Sequence, residues 1–235
     1  MSAADRALPR QLVDYLVARG GPPPPSGLAY DYVLGGDGLW LAAENHALRV
    51  RAPVARCTVR GLPPLGGACE LRHGRLPGWL WDGCVGIARA WAAVGLEVLL
   101  LATCDATGRY ALVVPEQAVT TARVEYAPPA LPPGTTVVLA MHSHHRLPAY
   151  FSRTDDRDEQ GLSLYGVLGR LDTPRPEVAL RAGAYGCWLP VPWAAVFAGG
   201  RSAFHDRQFD APGADGAGGT GHDADGDDDD RGETR

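Results

Sequence analysis

The sequence predicts an α/β (α+β) protein, a mixed β-sheet flanked by helices and preceded by a small N-terminal β-rich subdomain. Three observations predict it. Between Leu28 and Leu62, the short alternating runs LAYDYVL, LWLAAEN and ALRVRAP are separated by GGDG and NH, the pattern of a small antiparallel unit. From Trp79 onward, helical and strand-type runs alternate over roughly 120 residues, enough to layer helices on a sheet. After Phe209 the chain turns Gly- and Asp-rich, with too little apolar matter to fold.

In order along the chain, DRALPRQLVDYLVARGG (Asp5–Gly21) has Leu12, Tyr15 and Leu16 at helical spacing, which predicts a short amphipathic helix stopped by PPPP. The three alternating runs follow. The Pro/Gly-rich stretch GLPPLGGACELRHGRLPG then marks the boundary to the larger unit. WLWDGCVGIARAWAAVG sets Trp81, Cys84, Ile87 and Trp91 near one face and predicts a helix. LEVLLLATCDATGRYALVVPEQ reads as a strand, a turn at DATG and a return strand, and TTVVLAMHSHH as a further strand. TDDRDEQGLSLYGVLGRL, with Leu164, Leu168 and Leu171 at helical spacing behind an acidic first turn, predicts a second helix. EVALRAGAY and CWLPVPWAAVFA supply later strands. The expected units are 1–75 (N-terminal helix plus β-rich subdomain), 76–209 (the larger unit) and 210–235 (a disordered acidic tail).

Of 235 residues, 46% are hydrophobic and 21% charged, the balance of a soluble globular chain. The formal charge of −5 is unevenly spread. Residues 211–235 hold seven Asp and one Glu against two Arg, a net −6, which leaves the remainder near +1. No nucleic-acid partner is expected, since that requires a strongly basic face. No apolar run approaches the ~20 residues that span a bilayer, so no membrane association is expected. The opening MSAADRALPRQLVDYL lacks the continuous apolar run of a secretory leader. The five cysteines (Cys57, Cys69, Cys84, Cys104, Cys187) are scattered without a C-x-x-C pair. That pattern suggests neither a zinc ribbon nor a disulfide framework, and makes a reducing cytoplasm the expected location. All 22 basic residues are arginine. Codon bias in a GC-rich genome accounts for this, and so would a protein that must not itself be conjugated through a lysine amine.

Three of the chain's seven histidines fall within four residues, in AMHSHHRLPAYFSRTDDRDEQ. Alternate residues of a strand share a face about 7 Å apart, so His142 and His144 can converge on one ion while His145 points away. A catalytic zinc takes three protein ligands of nitrogen, sulfur or carboxylate type and keeps a fourth position for water. The third ligand can come from a helix opening after Phe151, with Ser152 as N-cap and Asp155 at N3. Each piece has an ordinary reading: H-x-H suits half-buried surface histidines, and S-x-x-D is the capping box of many helices. Their sum on one strand-to-helix turn points to a metal.

H-S-H, seven residues, then S-x-x-D resembles the JAMM (JAB/MPN) zinc metalloprotease motif, carried here by His142, Ser143, His144, Ser152 and Asp155. The resemblance covers roughly Trp79 to Ala198. It implies a JAB/MPN-like mixed sheet with cytidine-deaminase-like layering, and Zn2+ held by His142, His144, Asp155 and a water. It also implies cleavage of isopeptide or peptide bonds at the C-terminus of a ubiquitin-like protein or its conjugates. The family requires a glutamate at the start of the strand after the first helix, and Glu97 matches it. Glu116, on an expected loop, ranks below Glu97 as a base. On this resemblance Glu97 is the general base and Ser152 the oxyanion donor. The chain departs from the family in EVLLLA, where glycines are common after the glutamate, and in His145, where proline often follows the second histidine. The whole chain also resembles the protein A family of the PRTRC (ParB-related, ThiF-related cassette) system in its length and its β-subdomain ahead of a JAB domain. That resemblance adds a ThiF-like activating enzyme as a partner.

Other H-x-H sites fit less well. A cupin wants a nearby glutamate that HRLPAY lacks, and an amidohydrolase barrel wants more downstream histidines than His205 and His222. H-E-x-x-H and the deaminase motif are absent. The alternative from another class is a catalytically silent MPN-type scaffold that binds partner proteins; such scaffolds typically lose a zinc ligand, and here the set is intact.

Overall fold

In the computed structural model, residues 11–119 and 124–207 are described. The first sheet has five strands in the order β1-β2-β3-β4-β5: β1 (Val13–Val17), β2 (Tyr30–Gly35), β3 (Gly38–Glu44), β4 (Leu48–Arg56) and β5 (Ala68–Leu71). The β2–β3–β4 meander is antiparallel, as the alternating runs predict. ACEL, inside the expected boundary stretch, becomes the edge strand β5 paired with β4.

The helix expected over Asp5–Gly21 is not what forms within the described part. Val13–Val17 is a strand, parallel to β2 with Val13 opposite Tyr30. Leu12 and Tyr15, two residues of the supposed helical face, are 68% and 74% exposed, so no core receives that face. VDYLV is instead rich in β-branched and aromatic residues, and Tyr15 stacks on Tyr32 of the neighbouring strand.

Helix α1 (Gly78–Ala93) follows. It buries Leu80, Trp81, Cys84, Val85 and Ala88, a stripe of helical period, with Ile87 and Trp91 partly buried at its flank. Next come β6 (Leu99–Cys104) and β7 (Tyr110–Val113), joined through the DATG turn where the Asp105 carboxylate accepts from the Thr107 and Arg109 amides. A small hairpin, β8 (Gln117–Val119) and β9 (Val124–Tyr126), leads to β10 (Thr136–Ser143). Helix α2 (Arg153–Asp158), β11 (Ser163–Gly169), β12 (Glu177–Ala184), β13 (Cys187–Pro190), helix α3 (Trp193–Val196) and β14 (His205–Asp206) complete the chain. The second sheet runs β13-β12-β11-β10-β6-β7, with β14 beside β12.

The second expected helix divides. Its acidic first turn is α2, six residues long, while SLYGVLG is the strand β11. Every residue of β11 is buried, because it lies between β10 and β12. An interior strand is apolar on both faces, so the spacing of four between Leu164 and Leu168 carries no helical meaning, and Leu171 lies in the turn beyond the strand. Strand β11 runs parallel to β10, which demands a crossover connection, and α2 sits in that crossover.

The two sheets share one core. Leu41, Leu48 and Val50 of the first sheet, Leu80 and Trp81 of α1, and Leu100, Leu139, Leu164 and Leu180 of the second form a continuous buried cluster. All five cysteines are free thiols. No helix among the described residues is long and apolar enough to cross a membrane. The acidic tail expected at 210–235 lies outside the described residues.

Candidate metal centre

Strand β10 delivers the histidines. His142 sits opposite Leu99 on β6 and Val167 on β11, at the carboxyl end of the strand where the crossover leaves the sheet. The ladder continues past it on both sides: Ser143 N–H donates to the Val98 carbonyl at 3.1 Å, and His144 N–H to the Leu168 carbonyl at 2.7 Å. Both imidazoles therefore stand on a backbone held from two directions. The chain then turns sharply at His145, whose φ of 45° is left-handed. This turn is pinned from below by the Arg170 and Leu171 amides, which donate to the Leu147 and His145 carbonyls. Gly169 permits the approach, since a Cβ there would lie 2.3 Å from the Ala149 nitrogen.

Ser152 and Asp155 form the expected capping box. Ser152 Oγ accepts from the Asp155 amide at 3.2 Å, and Asp155 Oδ2 accepts from the Ser152 amide at 2.6 Å. That reciprocal pair commits Oδ2 and turns Oδ1 toward His142 Nε2, 3.5 Å away. His142 Nε2 and His144 Nε2 are 3.1 Å apart, and one ligand atom from each of His142, His144 and Asp155 lies within 4.8 Å of the others. A tetrahedral zinc with bonds of about 2.1 Å holds its ligand atoms about 3.4 Å apart. The two distances straddle that value, so the donor set fits such an ion.

Electrostatics favour the ligating forms. Burial pushes His142 down to about 4, against the pull of the Asp155 charge, and lowers His144 as well, so both imidazoles are neutral at pH 7. His144 Nδ1 lies 3.3 Å from the Pro148 carbonyl oxygen, which makes Nδ1 the protonated nitrogen and leaves the Nε2 lone pair toward the centre. Tyr150 stacks edge-on against the same ring at 4.7 Å.

Glu97 stands at the mouth of β6, one residue before Val98, and is 8% exposed. Burial, with the Asp155 charge adding to it, raises its carboxyl to about 7. Its backbone is tied to the histidine strand by Ser143, which is fully buried and whose Oγ accepts from the Val98 amide at 3.0 Å. On the other side, the Gln117 side chain accepts from the Leu99 amide at 2.8 Å and donates to the Leu99 carbonyl at 3.2 Å, stitching the β8 hairpin to the start of β6. Glu116 is exposed on the loop between β7 and β8.

The structure thus brings His142, His144 and Asp155 together, with Ser152 capping the same turn and Glu97 buried within reach of the Asp155 charge. Ser143 belongs to the H-S-H motif, but its bond to the Val98 amide is not legible in spacing. Neither are the contributions of Gln117 and of Arg181, whose guanidinium donates to Asp156 and Glu159 around α2. Arg181 is the one charge in the otherwise apolar run VALRAGA, and that is the signal by which it could be found.

Residues 85–182 match the family model described as prokaryotic homologs of the JAB domain. The matched segment contains Glu97, His142, His144, Ser152 and Asp155, and the mixed α/β layering is consistent with a JAB/MPN-like fold. No curated protein matches the chain.

Proposed function

We propose that this chain is a zinc-dependent hydrolase of the JAMM type, an isopeptidase or peptidase acting at the C-terminus of a ubiquitin-like protein. The observation that carries the reading is the His142–His144–Asp155 convergence, with the Glu97 carboxyl buried within reach of the Asp155 charge. His142, His144 and Asp155 would hold the zinc, which when bound supplies Lewis acidity and lowers the pKa of a water from about 15.7 to about 7.

The remaining chemistry belongs to the chain's own groups. Glu97 takes a proton from the attacking water and returns it to the leaving amine; its burial strengthens its hold on a proton, which suits a carboxylate to the base's part of that exchange. Ser152 Oγ already accepts from the Asp155 amide, so its hydroxyl proton is free to donate to the carbonyl oxygen as that oxygen gains charge. Ser143 keeps Glu97 in register with the histidines. His144 is oriented by the Pro148 carbonyl, and the Tyr150 ring shields it on one side.

The substrate class follows from the resemblance to the JAMM family. The resemblance to the PRTRC protein A family adds a cassette that combines a ThiF-like activating enzyme with a ubiquitin-like protein, the modifier that this chain would trim or remove. Incubation with fusions of the ubiquitin-like protein from the same cassette tests it. Cleavage after the modifier's C-terminus, abolished in Glu97→Gln with zinc retained, supports the reading. Intact fusions together with metal-free protein would support the partner-binding scaffold instead.

A further inference from the structure

Helix α2 follows Ser152 and carries Asp155, yet none of its six residues is buried. A helix this short does not hold alone in water. The capping box fixes its first turn internally and leaves open where that turn sits relative to β10. No apolar face of α2 does that work.

The attachment is Arg181. It lies mid-strand on β12, opposite Tyr165 on β11 and Pro190 on β13, and its side chain is 9% exposed. The guanidinium lies 3.9 Å from the centre of the Phe151 ring and 4.8 Å from that of Trp188. Nη1 donates to Asp156 Oδ1 at 2.6 Å, while Nε and Nη2 both donate to Glu159 Oε2, at 2.8 and 2.5 Å. One side chain therefore grips the residue before the N-cap, the residue after Asp155, and the C-cap of α2. A buried ion pair is seldom the most stable filling of such a space, and an apolar residue would pack there as well. Arginine's rigid fork offers something else, a fixed geometry between three points.

Building on the metal site proposed above, we infer that Arg181 is the positioning residue for Asp155: it clamps α2 to the second sheet and thereby sets how tightly the centre holds its metal. Position and charge make opposite forecasts here. Arg181 is a cation near a site for a dication, so removing its charge alone would tighten zinc binding. Removing a clamp would weaken it.

Arg181→Met keeps the bulk and the ring contacts and removes the donors. Zinc affinity is read by competition with a chromophoric chelator, and hydrogen exchange of the Asp155, Asp156 and Glu159 amides is followed in metal-free protein. The expected result is zinc binding at least tenfold weaker, with faster exchange confined to 153–159, and an intermediate affinity for Arg181→Lys. Equal or tighter zinc binding in Arg181→Met overturns the inference. Should that variant fail to fold, Glu159→Ala, with Arg181 kept, is read by exchange in the metal-free state; unchanged protection of α2 again overturns it. A wild-type chain that binds no zinc would sink the metal site, while the exchange readout would still decide whether Arg181 holds α2.

Discussion

Replacing Glu97 by glutamine in metal-free protein gives a prediction with both a sign and a size. Glu97 is buried, and its carboxyl is raised from 4.5 to about 7, first by burial and then by the Asp155 charge. A raised folded-state pKa means that the native state binds the proton more tightly than the unfolded chain does. Between pH 4.5 and 7 the unfolded state has released that proton and the native state has kept it. Stability is therefore full below about 4.5 and is lost as pH climbs through about 7. A tenfold difference in proton affinity between the two states is worth about 1.4 kcal/mol, so the ionised Glu97 weakens the apo fold by about 3 kcal/mol at pH 8. Glutamine resembles the protonated acid and does not ionise. Glu97→Gln should hence match wild type near pH 4.5 and exceed it by about 3 kcal/mol at pH 8, a rise of roughly 10 °C in Tm for a domain of this size. His142 departs in the other direction. Its lowered pKa gives stability that is present above about 6.5 and lost as pH falls toward 4, so the wild-type profile alone mixes the two groups. The difference between variant and wild type isolates Glu97. Urea unfolding in chelator at several pH values measures it, and a difference constant from pH 4.5 to 8 would refute the buried-carboxyl argument.

Ser143→Ala strands the buried Val98 amide, for about 1–3 kcal/mol of stability, and displaces Glu97 relative to the histidines. Turnover should fall through kcat rather than KM, and Ser143→Thr, which keeps the hydroxyl, should restore most of both. Ser152→Ala removes the cap hydroxyl: denaturation of the metal-free chain should record about 1 kcal/mol, whereas kcat should fall about 100- to 1000-fold. A kcat loss no larger than the cap loss implies would remove Ser152 from the chemistry.

Much of the fold and site is legible in local sequence. The DATG turn, the α1 stripe and the Ser152–Asp155 box each depend on residues within one turn or two of each other, and each forms where spacing places it. The failures share a cause. Leucine spacing makes helices of Val13–Val17 and Ser163–Gly169, but whether such a periodicity is helical depends on what lies on the other side of the segment. For β11 that is buried sheet on both flanks, and for β1 it is the open edge of β2. Long-range register is equally invisible to local spacing. Ser143 matters because Val98 lies beside it, 45 residues earlier, and Arg181 because β12 passes beneath α2.

Zinc content per chain, measured by plasma mass spectrometry on wild type and His142→Ala, bears most directly on the central claim that His142, His144 and Asp155 share one ion. The account predicts about one zinc in the wild type and none in the variant. Wild-type protein without metal after zinc loading, or a variant that keeps a full equivalent, would contradict it.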